Sequence, residues 1–127
     1  NGIVSEGLYK KLLFGKLEVN KGMLMENIVA QMLTAAGHKL YFYSNASRDD
    51  REARMEIDFL IAKSTISSRH NISPIEVKSG KNYTLSSIRK FKNKYVQQTH
   101  IPYVLHTGDR KEEDGIVFLP LYMTPLL

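Results

Sequence analysis

The sequence predicts an α/β domain, a central mixed sheet flanked by helices, in the order helix, three strands, helix, strand, extra strand. Three observations predict it. Apolar residues recur at helical spacing over residues 23–36 (Leu24, Ile28, Met32 and Ala36, with Met25, Val29 and Leu33 beside them) and again over 85–98. Between these segments lie three short runs rich in β-branched and aromatic residues, at 40–43, 55–62 and 75–78, bounded by polar residues and turn formers. Two further runs of that kind, 102–106 and 116–121, follow the second helix.

A chain of 127 residues is expected to form one domain, 1–127, with a core of useful size. A hydrophobic fraction of 43% and a charged fraction of 24% fit a globular chain and exclude a disordered polar tail. With no cysteine, a disulfide framework and a thiolate zinc site are excluded, and a reducing, cytoplasmic compartment is expected. No apolar run approaches the roughly 20 residues that span a bilayer, so no membrane partner is expected. The chain opens on Asn1-Gly2 rather than methionine, which points to a piece of a longer protein.

In order along the chain, Ile3, Val4, Leu8, Leu12, Leu13, Phe14 and Leu17 sit at helix-like intervals interrupted by Gly2, Gly7 and Gly15. Short helices are expected there, with residues 1–20 the tail of a preceding module packed on the domain. Asn20-Lys21-Gly22 is expected to punctuate, the main helix to start at Met23, and Gly37 to end it as a left-handed cap. After the strand at 40–43, the polar segment 44–54, with Arg48-Asp49-Asp50-Arg51-Glu52, reads as a solvated connection. In the second strand Ile57, Phe59 and Ile61 alternate with Asp58 and Leu60. The polar stretch 64–73 leads to the third strand, expected to pair antiparallel with the second. Ser79-Gly80-Lys81-Asn82 turns the chain into the second helix. Thr84 is placed to cap that helix, with Leu85, Ile88, Phe91 or Lys92, and Tyr95 on its inner face. Residues 108–115 read as a charged turn before the last strand and a proline-containing tail.

The chemistry concentrates in Glu76-Val77-Lys78. In a strand Glu76 and Lys78 share one face, while Ile75 and Val77 point to the other. Asp58 is the carboxylate that emerges from the apolar run of the preceding strand. Hydrolysing a phosphodiester requires a nucleophilic hydroxide and shielding of the charge on the phosphoryl oxygens, and a magnesium ion supplies both. Magnesium takes hard oxygen ligands, commonly one or two carboxylates with waters. Asp58 and Glu76 would hold Mg²⁺ or Mn²⁺, Lys78 would orient the attacking water, and Glu26 in the first helix would bind a second ion or a metal-bound water. A Glu-x-Lys pair also fits a plain cross-strand surface pair, but apolar flanks on both strands put these charges near a core, where carboxylates are costly to leave unpaired. Glu26 equally fits a solvated helix position.

The net charge is +5, and its distribution is uneven. Between Lys78 and Lys94 stand Lys81, Arg89, Lys90 and Lys92 and no acid. Lys81, Arg89, Lys90 and Lys92 are therefore candidates for binding a nucleic-acid backbone, against the plainer reading of a solvated helix face. His38, His70, His100 and His106 show no ligand spacing and are expected to be structural or exposed.

Glu26 in the first helix, Asp58 in the second strand and Glu76-Val77-Lys78 in the third resemble the signature of the PD-(D/E)xK nuclease superfamily, whose restriction-endonuclease-like core has the order helix, three strands, helix, strand. More closely, Asn20-Lys21-Gly22-Met23-Leu24-Met25-Glu26-Asn27, Met55-Glu56-Ile57-Asp58-Phe59-Leu60, Ile75-Glu76-Val77-Lys78-Ser79-Gly80-Lys81 and Leu119-Pro120-Leu121 resemble a carboxy-terminal domain of unknown function that follows an AAA-type ATPase module in many bacterial and archaeal proteins. The resemblance implies a metal-dependent DNA nuclease whose partners are DNA and its own N-terminal AAA-type ATPase module. Its alternative is a catalytically inactive nuclease-fold module for DNA or protein binding and regulation. The superfamily's proline is absent before Asp58, where Glu56-Ile57 stand. Phe91 stands four residues before Tyr95, so the Gln-x-x-x-Tyr helix of some exonuclease relatives is missing. No Walker loop is present.

Overall fold

The computed structural model describes residues 6–45, 54–62 and 71–127, with side chains from Lys21 onward. The charged run Arg48 to Glu52, the polar connection at 63–70 with His70, and the side chains of the first 20 residues lie outside the described residues.

The first element is one uninterrupted helix, α1 (Glu6–Ala35), 30 residues long. Short helices broken at Gly7, Gly15 and Asn20-Lys21-Gly22 were the expectation, and the backbone corrects it. A glycine inside a helix costs about 1 kcal/mol relative to alanine, whereas each further residue adds a hydrogen bond to a helix already nucleated. No proline interrupts residues 6–35, so nothing removes a backbone donor. The stop is where the sequence puts it. Gly37 has φ of 94°, its N–H donates to Thr34 O at 3.0 Å, and the His38 N–H donates to Leu33 O at 3.0 Å. That pair of bonds is a Schellman closure.

Next come β1 (Leu40–Asn45), β2 (Met55–Ala62), β3 (Ile72–Val77), α2 (Ser86–Lys94), β4 (Tyr103–His106), β5 (Lys111–Glu113), β6 (Ile116–Pro120) and a closing 3₁₀ helix (Leu121–Leu126). They form a six-stranded sheet in the order β1-β2-β3-β4-β6-β5. β1 pairs antiparallel with β2, and β2 with β3. β3, β4 and β6 are mutually parallel, because α2 carries the chain across one face of the sheet before β4. The fold is therefore the α/β arrangement predicted. One strand was not foreseen: the charged turn contains β5, which folds back on β6 through Asp114 (φ 53°) and Gly115 (φ 76°). Two consecutive positive φ values are what a tight two-residue hairpin requires.

α2 is shorter than the predicted 85–98, and Thr84 does not cap it. Leu85 holds the N-cap position without a side-chain cap bond. The helix ends at Lys94 because Tyr95 leaves helical geometry (φ −114°, ψ 45°); beyond it Tyr95 O accepts from the Thr99 N–H at 2.9 Å and from its Oγ1 at 2.7 Å. Ile72 then bonds both Gln98 O and the His100 N–H, which draws the chain into the sheet.

Two cores lie on opposite faces. Val29 and Leu33 of α1 pack on Phe59, Ile61, Ile75, Val77, Leu105, Val117 and Leu119. Ile88 and Phe91 of α2 pack on Met55, Ile57, Val104, Ile116 and Phe118. The parallel strands are covered on both sides and read as continuous apolar runs, as in β6, where every residue is buried. Each such side chain contributes about 1.5–3 kcal/mol on burial. The carboxyl end of the chain packs back on α1: Leu121, Met123 and Leu127 join its core, and His38 Nε2 donates to Leu127 O at 2.8 Å. Among the described residues no helix is long and apolar enough to cross a membrane.

Candidate functional site

The alternation predicted for β2 holds in burial, with Met55, Ile57, Phe59 and Ile61 buried and the residues between them less so, but a shift of register divides the four between the two cores. Tyr41 pairs with Leu60 and Tyr43 with Ile57, so Phe42 alone faces both Asp58 and Phe59 across the ladder. This is a β-bulge. Its consequence is a change of face: Met55 and Ile57 belong to the α2 core, whereas Phe59 and Ile61 belong to the α1 core. Ile57, Phe59 and Ile61 were expected to share one face and do not. The extra residue frees Asp58 from the pleat beside β3.

The β2–β3 ladder ends at Phe59↔Ile75. One step further, Asp58 Oδ2 accepts the Val77 N–H at 2.7 Å. A side chain thus takes the place of the next backbone bond, and it ties β2 to the middle residue of Glu76-Val77-Lys78. The Lys78 N–H turns the other way and donates to Leu105 O of β4 at 2.8 Å. On the α1 side, Asp58 shares a hydrogen bond with Glu26, and burial raises both carboxyls above their ordinary range. The bond and the Asp58 charge favour the proton on Glu26, while the Val77 N–H and Lys78 favour ionised Asp58.

Glu76 is only 3% exposed, and its Oε2 has no hydrogen-bond partner. Lys78 Nζ stands 3.5 Å from that oxygen, close enough for an ion pair without hydrogen-bond geometry. Burial pushes the Glu76 carboxyl up to about 7, opposed by Lys78 and reinforced by Asp58 and Glu56. A buried carboxylate oxygen with a lone cation at 3.5 Å is the least satisfied polar atom of the site.

The donor chemistry fits a hard divalent cation held by Asp58 and Glu76 with waters. The gathering is incomplete: among the described residues no group of three or more His, Cys, Asp or Glu side chains is arranged to hold a metal. Asp58 meets Glu26 through one hydrogen bond and β3 through Val77, so the expected triad of Asp58, Glu76 and Glu26 does not close on one point.

Three basic residues of α2 make contacts within the domain. Arg89 Nη2 lies 3.5 Å from Asp114 Oδ2, Lys92 Nζ donates to Asp114 O at 2.6 Å, and Lys90 Nζ donates to Arg54 O at 3.0 Å. Arg89 and Lys92 therefore brace the β5–β6 hairpin. Lys81 is exposed in the bend after β3. His106, expected to be structural or exposed, is buried: its Nε2 donates to Asp109 O at 2.8 Å, which leaves Nδ1 to accept from Tyr83 Oη at 3.1 Å. Tyr95, without its exonuclease motif, bonds Tyr43 hydroxyl to hydroxyl at 2.9 Å.

One residue of the neighbourhood went unremarked in the sequence. Phe42 is 74% exposed, on the edge strand, opposite the bulge that carries Asp58. An aromatic within Leu40-Tyr41-Phe42-Tyr43 has no local signal of its outward position, because which neighbour faces in depends on the bulge in β2.

Compared with known families, residues 21–124 match the model of a domain of unknown function, DUF4143. The chain belongs to that family. Domains of this family are commonly found after AAA-type ATPase modules. No curated protein and no solved structure matches the chain.

Proposed function

We propose that this DUF4143 domain is a divalent-metal-dependent, nuclease-like module that hydrolyses DNA phosphodiester bonds, coupled to an AAA-type ATPase module of the same protein and acting in the cytoplasm. The observation that carries the reading is the Asp58 to Val77 bond. It joins the acid of β2 to the backbone between Glu76 and Lys78, beside a buried Glu76 oxygen that has no hydrogen bond. The order of elements supports it as well, since helix, three strands, helix, strand is the order of the nuclease core that the motifs resemble.

In this reading Asp58 and Glu76 hold Mg²⁺ or Mn²⁺, which when bound lowers the pKa of water and shields phosphoryl charge. The chain's own residues do the rest. With its carboxyl pushed up to about 7, Glu76 is only about half ionised near neutrality, so a cation held there would have to compete with the proton. Lys78 is held beside Glu76 and turns toward water and the developing negative charge on phosphorus. Burial and the neighbouring Asp58 charge raise the Glu26 carboxyl, and from α1 it would orient Asp58 or hold a metal-bound water. The test is cleavage of single- and double-stranded DNA with Mg²⁺ or Mn²⁺, against the Asp58→Asn variant. Metal-dependent cleavage lost in the variant supports the proposal, and absence of both metal binding and cleavage in the unsubstituted chain refutes it.

The second reading, an inactive nuclease-fold module that binds DNA or protein, is favoured by the carboxylates not being gathered into a three-residue set. It predicts salt-dependent DNA binding that Asp58→Asn leaves unchanged.

A further inference from the structure

Between α1 and the edge of the sheet runs a groove of about 570 Å³, within the roughly 300–1,000 Å³ of small-ligand sites. Glu26, Asn27, Glu56 and Asp58 line it, with Phe59 at its floor and Phe42 at its rim. The Phe42 ring is propped on Phe59 at 5.9 Å between centroids and 56° between planes. The ring is left 74% exposed. A large aromatic placed in this way, beside the bulge that presents Asp58, is a flat apolar platform with polar acceptors within the same groove.

The chemistry narrows the occupant. The carboxylates of the groove disfavour a phosphate within it, and they and the Asn27 amide oxygen can accept from amino groups on base edges, as Glu and Asp do from the cytosine amine. A base can reach such a groove only when it is out of the duplex stack. We infer that this groove receives an unpaired nucleobase, stacked on Phe42 with its amino edge toward Glu26 and Asn27, so that the domain prefers single-stranded or frayed nucleic acid over intact duplex. The inference rests on the nuclease-like reading and names its substrate class.

The test uses the full 127-residue chain with Ca²⁺ in place of Mg²⁺, which holds nucleic acid without supporting turnover. Binding is followed by anisotropy and by quenching of 2-aminopurine in a single-stranded oligonucleotide and in the matching duplex. The expected result is tighter binding and quenching with the single strand. Phe42→Ala should weaken single-strand binding about tenfold or more, and Phe42→Trp should restore it. Because Phe42 is mostly exposed, both variants should melt with the parent. Equal binding of single strand and duplex, unchanged in Phe42→Ala, overturns the inference and leaves the nuclease reading standing. Absence of binding to either form overturns both.

Discussion

Glu76 gives the most quantitative test of the site. Its carboxyl is pushed from 4.5 up to about 7 in the folded chain, mainly by burial. Below pH 4.5 folded and unfolded chains both hold the proton, and the group makes no difference to their balance. Between 4.5 and 7 the unfolded chain releases it while the folded chain keeps it, so stability falls as pH rises, and above 7 the full loss is present. A rise of that size corresponds to about 3 kcal/mol, a large part of the roughly 5–15 kcal/mol that holds a domain together. Glu76→Gln keeps the volume and removes the titration. Urea unfolding of both proteins at pH 5, 6, 7 and 8 with EDTA should show the variant gaining on the parent by about 2.5 kcal/mol across the range. A gap that does not change with pH would refute the claim that Glu76 is buried and poorly paired. Repeating the series with Mg²⁺ separates a second question. If a cation binds ionised Glu76, the parent's loss at pH 8 shrinks, and if Mg²⁺ changes nothing the metal reading fails while the burial argument stands.

Asp58→Asn should keep the amide oxygen on the Val77 N–H, whereas Asp58→Ala leaves that donor unpaired. The alanine variant is expected to be less stable than the asparagine variant by about 1–3 kcal/mol in urea unfolding. Gly115→Ala forces a side chain onto a φ of 76° and against Lys92 Nζ, 2.6 Å from the new Cβ. It should cost about 1 kcal/mol or more by thermal melting, and more than Gly37→Ala, which meets only the backbone strain. Arg89→Ala with Lys92→Ala should loosen the β5–β6 hairpin by no more than about 1–2 kcal/mol, seen as faster amide exchange over residues 111–118. Lys81→Ala, by contrast, should leave melting unchanged and lower the salt slope of DNA binding by about one.

Much was legible in the sequence, and the reason is local. The β-branched runs, the helical spacing at 23–36 and at Ile88 and Phe91, the cap at Gly37, and Glu76 and Lys78 on one strand face all depend on preferences within a few residues of the position concerned. These determined the α/β class, the strand order along the chain and the β2–β3 hairpin. Three things depended on distant partners and only the tertiary structure decided them. Glycines 7, 15 and 22 do not break α1, since continuity turns on the summed helix and its packing rather than on any one weak residue. Arg89, Lys90 and Lys92 also contact Asp114 and the Arg54 carbonyl, partners far from them in sequence, contacts that the charge pattern alone does not reveal. The bulge at Asp58 and Phe59 exists only as a mismatch of register between β1 and β2, and no single strand encodes it. That mismatch turns Phe59 to the other face, sets Asp58 against Val77 and leaves Phe42 outward. The sequence determined which residues carry the chemistry, and the pairing of two strands decided where they point.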